Sequence, residues 1–69
     1  MKNKVKYKTI VSELASQGIT YKEASTRLGI TYLSFKNKLN GKSDWKVTEI
    51  AGLMNILNKD FNYLFKQDL

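Results

Sequence analysis

The tetrapeptide Gly-Ile-Thr-Tyr occurs at 18–21 and again at 29–32, eleven residues apart, and this duplication limits what the chain can become. Repeat architectures use periods of roughly 20–50 residues and need several copies to build a core. Two copies at this spacing are instead one piece of punctuation used twice. Glycine ends a helix in the left-handed region. Isoleucine is placed to staple, threonine caps the next helix, and tyrosine opens its first turn. The segment between the copies is then an eight-residue helix, with a tight glycine joint to its successor. There is no proline, and no alternation of apolar and polar residues lasts long enough to read as a strand.

Helical spacing accounts for the rest. Tyr7, Ile10, Val11 and Leu14 form the apolar stripe of a first helix ending near Gly18. Thr20 followed by Glu23 reads as a capping box for the second helix, whose inner face is Tyr21, Ala24, Ser25 and Leu28. Thr31 caps the third helix, Ile30 is placed to staple against Phe35, and the helix runs to about Asn40 before Gly41. A fourth stripe comprises Val47, Ile50, Ala51, Met54 and Leu57, with Leu53 alongside and Trp45 placed to staple onto Ile50. Gly52 inside it implies either a close contact or tolerance of a cost of about 1 kcal/mol relative to alanine. Asp60 caps a short last helix carrying Phe61, Leu64 and Phe65. The expected fold class is all-α, five helices joined by short turns, in one domain spanning 1–69 with a basic arm at 1–5.

Charge narrows the function. The net charge is +6, with +4 in residues 1–8 and +4 in 22–46, against −1 in 9–21 and −1 in 47–69. Such an excess suits a partner with dense negative charge, nucleic acid or an anionic membrane surface, and it is also common on solvated surfaces. The lysines are dispersed rather than set opposite one broad apolar face, which argues against membrane adsorption. There is no cysteine or histidine, so disulfides and thiolate or imidazole metal sites are excluded. The six acids are scattered and no glycine-rich phosphate loop is present, so an enzyme is not expected, nor a cofactor. No apolar run approaches the eighteen or so residues of a membrane span, and the expected location is the cytoplasm.

Two short helices with a tight glycine turn, spanning 20–40, are the helix-turn-helix arrangement. The run GITYKEASTRLGITYLSFKNKLNGK at 18–42 resembles the helix-turn-helix of the phage Cro and repressor proteins, the XRE-like class. DWKVTEI at 44–50 and LNKDFNYLF at 57–65 look like the last two helices of that family, so the resemblance covers nearly the whole chain. It departs from the family pattern at Ala24, Ser25 and Lys46, where a larger apolar residue, alanine, and a serine or threonine cap are usual; Ser43 or Asp44 is then expected to replace Lys46 as the cap. The resemblance implies a compact lambda-repressor-like domain that binds double-stranded DNA sequence-specifically, usually as a homodimer on a palindromic operator, and controls transcription. At this length there is no room for the separate oligomerisation or self-cleavage domain of larger repressors, and no small-molecule ligand is indicated.

The third helix can be read independently of that name. With Phe35 and Leu39 inward, about 100° per residue places Leu33, Asn37 and Asn40 nearly opposite, with Ser34 and Lys36 to either side. Asn37 suits a bidentate pair with adenine, Leu33 a thymine methyl, and Lys36 a guanine edge or a phosphate. Tyr32 and Ser34 reach bases or backbone from the first turns. Tyr32, Leu33 and Asn37 together hint at A·T-containing half-sites. Leu33 has the alternative of packing against the second helix. Tyr21 and Lys22 match the family position that touches the phosphate backbone, and the helix N-terminus there also favours an anion; core packing is the alternative for Tyr21. Thr31, Asn40 and Lys42 are read as further backbone contacts, which set register rather than sequence. The lysines at 2, 4, 6 and 8 either follow phosphates, reach a minor groove, or only maintain solubility.

Phe61, Phe65 and Leu69 fall on a second apolar stripe, either part of a dimer interface or a helix docked back on its own domain. A competing function comes from the interaction class: a small protein of this kind can act as an antirepressor, pairing with a partner repressor protein and blocking its DNA surface.

Overall fold

The segment between the two Gly-Ile-Thr-Tyr copies ends as its composition requires. In the computed structural model, which describes residues 5–65, Gly29 has φ 76° and Gly18 φ 71°, both in the left-handed region. Among the described residues the chain forms five α-helices and no strand: α1 Lys8–Ser16, α2 Tyr21–Leu28, α3 Tyr32–Leu39, α4 Val47–Leu57 and α5 Phe61–Leu64. None of them is long and apolar enough to cross a membrane. A Cβ added at Gly29 meets no atom within 4 Å, so the cost of a side chain there is conformational alone. We expect Gly29→Ala to destabilise the domain by about 1–2 kcal/mol in urea unfolding and Gly29→Asn by much less, since asparagine tolerates the left-handed region.

Both threonine caps form. Thr20 Oγ1 accepts from the Glu23 N–H and Thr31 Oγ1 from the Ser34 N–H, each at 3.1 Å. The reciprocal half of the box at Glu23 is not made. Its carboxylate instead takes Arg27 at 2.8 Å, one turn further along an exposed face. At α4 the arrangement is reversed. Lys46 occupies the cap position with no acceptor to offer, and the Glu49 carboxylate accepts the Lys46 N–H at 2.8 Å. The cap expected from Ser43 or Asp44 is therefore supplied from inside the helix.

Ile10, Leu14, Ala24, Phe35, Leu39, Leu53, Leu57 and Leu64 form the buried core. The small Ala24 and Ser25 on α2 leave room for it to contact both α3 and α4. Gly52 is the α4 side of that approach, since a Cβ there would lie 2.5 Å from Leu28 Cδ2. Of the two readings of Gly52, the close contact holds.

The inner face of α4 differs from the expected stripe. Glu49, Leu53 and Leu57 are buried, whereas Val47 is 81% exposed and Ala51 is also on the surface. The helix is turned because Glu49 faces inward to meet Lys38, a partner that no local periodicity reveals. Trp45 also lies elsewhere than over α4 alone: its ring meets Tyr7, Phe35 and Phe65 edge-on, with centroids 5.7–6.0 Å apart.

The C-terminal helix docks against its own domain. Tyr63 donates its hydroxyl to Glu13 Oε2 at 2.8 Å, and Gln17 Nε2 donates to the Leu57 carbonyl at 2.9 Å, joining the ends of α1, α4 and α5. Phe65 is half-buried among Tyr7 and Trp45.

Candidate nucleic-acid interface

Three inward residues fix the rotation of α3. Phe35 and Leu39 are buried in the core, and Lys38 joins them with only 6% exposure. The opposite arc therefore faces out: Tyr32 is 50% and Leu33 65% exposed, and Ser34, Lys36, Asn37 and Asn40 are half-buried. These are the residues expected on the outward face. Leu33 does not pack away against α2.

The arc is partly preorganised. The Lys36 ammonium lies 5.7 Å from the centroid of the Tyr32 ring, close enough for a cation–π attraction. Tyr32 in turn lies 6.5 Å from Tyr21, and Tyr21 also meets Phe35 edge-on at 5.7 Å, ring centroid to ring centroid. Tyr21 thus bridges the core and the surface, so the two roles considered for it are compatible. Burial, then the neighbouring Tyr32, push its phenol above the ordinary value. Thr31 is exposed, but its oxygen already accepts the Ser34 N–H, so only its hydroxyl proton is left for a phosphate. Lys22 and Lys42 are exposed at the start of α2 and just past the end of α3.

Lys38 is the functional surprise of this region. Counted by composition, it belongs to the basic surface. In the fold its ammonium lies 3.1 Å from Glu49 Oε1 and donates to the Asp44 carbonyl at 3.0 Å. Both side chains of the pair are under 10% exposed. Burial alone would raise the Glu49 carboxyl, but the Lys46 N–H and the Lys38 ammonium outweigh it and hold the group below its ordinary value. Lys38 sits three residues after Phe35 and beside Leu39, at the margin of the inner arc, and nothing local in the sequence pairs it with Glu49. Among the described residues the ion pairs are Lys38–Glu49 and Arg27–Glu23, which leaves Lys22, Lys36, Lys42 and Lys46 as the cations of 22–46 outside those pairs.

The second candidate surface is smaller than expected. Phe61 is 48% exposed and stacks on Phe65 at 5.1 Å, while Phe65 itself belongs to the aromatic cluster of its own domain. Leu69 and the lysines at 2 and 4 lie outside the described residues. Among the described residues no group of three or more acids is placed to hold a metal ion. No family model, curated protein or solved structure matches the chain.

Proposed function

We propose that this protein is a sequence-specific double-stranded DNA-binding regulator of transcription, a Cro-type helix-turn-helix domain that places α3 in the major groove. The observation that carries this reading is the outward arc of α3. Tyr32 and Leu33 are exposed, and Ser34, Lys36 and Asn37 are half-buried beside them, on the first two turns of a short, capped helix whose core face is Phe35, Lys38 and Leu39. Helices of this kind read base edges with those turns. Asn37 reads an adenine edge, Leu33 a thymine methyl and Lys36 a guanine edge or a phosphate. Tyr21, Lys22, Thr31, Asn40 and Lys42 flank the arc and hold the sugar-phosphate backbone. The protein acts as a binding module rather than a catalyst, and as a homodimer on a two-fold operator, with Phe61 contributing to the contact between copies. Its place of action is the cytoplasm.

One observation favours a second reading. Tyr32 and Leu33 put adjacent apolar surface on the same arc, which also suits a protein partner such as another repressor.

Selection of duplexes from a random pool, followed by titration of the selected and a scrambled duplex, separates the two. The DNA reading predicts selected sites containing A·T pairs. It also predicts that Asn37→Ala costs about 1–3 kcal/mol on the selected duplex and almost nothing on the scrambled one. Equal, weak binding to all duplexes that disappears steeply with salt would reduce the DNA affinity to net charge and favour the protein partner.

A further inference from the structure

The N-terminal segment meets the far end of α3. The Lys6 and Tyr7 N–H groups both donate to the Leu39 carbonyl, at 2.9 and 3.2 Å, so residues 6–7 close the C-terminal end of this helix. The Lys6 side chain then runs over Gly41. A Cβ built at Gly41 would lie 2.8 Å from Lys6 Cδ and 3.4 Å from its Cβ, so the lysine stem uses the space that the glycine leaves. Lys6 remains exposed, with its ammonium 5.6 Å from the Tyr7 ring centroid.

This docking also builds a recess. Val5 forms one wall of a pocket of about 210 Å³ whose other walls are Tyr21, Lys36, Leu39 and Asn40. Three of those side chains, a phenol, an ammonium and an amide, can donate hydrogen bonds, and all three belong to the proposed DNA surface. Lys6 is held beside Asn40 and Lys42 through Gly41, so the N-terminal segment extends that surface past the end of α3. Its position is set by backbone bonds, so little further ordering of the segment is needed on binding.

We propose that Lys6 is a DNA backbone contact, with the docked segment 5–7 acting as a clamp on a phosphodiester beyond the C-terminal end of α3. This inference rests on the DNA-binding reading of α3 and adds a contact to it from outside the helix pair. Lysine there neutralises a phosphate without reading a base, so its effect is independent of sequence and visible in salt dependence.

The test is titration of the full chain against the selected and the scrambled duplex over a range of salt concentrations, with Lys6→Ala, Lys6→Arg and Lys59→Ala alongside. Lys59 lies exposed at the α4–α5 joint and removes the same charge elsewhere. Lys6→Ala is expected to weaken both duplexes by the same factor and to make the slope of log K against log salt shallower by about 0.9. Lys6→Arg should keep the wild-type slope, and Lys59→Ala should leave it unchanged. The Lys6→Ala backbone bonds to Leu39 remain, so its thermal melt should match the wild type. An unchanged slope in Lys6→Ala, with the wild type still preferring the selected duplex, overturns the clamp and leaves the α3 reading standing. Equal slope changes in Lys6→Ala and Lys59→Ala also overturn it, because net charge alone would then account for the effect. Failure of the wild type to prefer any duplex removes both.

Discussion

Lys38→Ala is expected to destabilise the domain by about 3 kcal/mol, at the low end of the range for breaking a buried ion pair, because a position near the edge of so small a domain admits some water. The substitution leaves the Glu49 carboxylate buried without its ammonium and removes the donor from the Asp44 carbonyl. Urea unfolding measures the loss. Lys38→Met combined with Glu49→Gln should recover much of it, since no charge is stranded and the glutamine oxygen can still accept the Lys46 N–H. If Lys38→Ala unfolds at the wild-type midpoint, the pair is a solvated surface contact.

The same pair shapes the acid limit. The folded Glu49 carboxyl lies below its ordinary value of 4.5, so its contribution to stability is fully present above that pH and is lost as pH falls through the folded value. Glu13, lowered by the Tyr63 hydroxyl and then by Gln17, adds to the loss in the same direction. The wild type should therefore weaken progressively below about pH 4.5, and Glu49→Gln should flatten part of that limb.

Phe35→Ala is expected to cost about 3–5 kcal/mol. The ring is fully buried and meets Tyr21 and Trp45 edge-on, at 5.7 and 5.9 Å between centroids. Its removal leaves a cavity between α3 and the aromatic cluster and unseats Tyr21 from beneath the outward arc, so DNA binding should fall together with stability. Leu33→Ala, two residues earlier and 65% exposed, should stay within about 0.5 kcal/mol of wild-type stability. The contrast tests the rotation of α3: similar losses at both positions would mean that Leu33 also faces a core.

The helix boundaries of this fold were legible because they are set locally. Glycine stops and threonine caps act within four residues of where they stand, so the copied Gly-Ile-Thr-Tyr was enough to place α2 and α3. The outward arc of α3 followed, since Phe35 and Leu39 could face only inward. The rotation of α4 was not legible, because an inward Glu49 makes sense only beside Lys38, eleven residues earlier and on another helix. The aromatic cluster escaped for the same reason: Tyr7, Trp45 and Phe65 are far apart in the chain and meet only when the segments carrying them pack together. At the proposed site, the role of Lys6 depends on a pair of backbone bonds to Leu39 that carry no signature in the sequence.

Backbone amide shifts of the 15N-labelled protein, followed while the selected duplex is added, test the central proposal most directly. Binding through α3 predicts the largest changes over 31–37, with flanking changes at 21–22 and 40–42 and little movement at the exposed end of α4. Changes centred on Val47 and Phe61–Tyr63, with the outward arc of α3 unmoved, would contradict it.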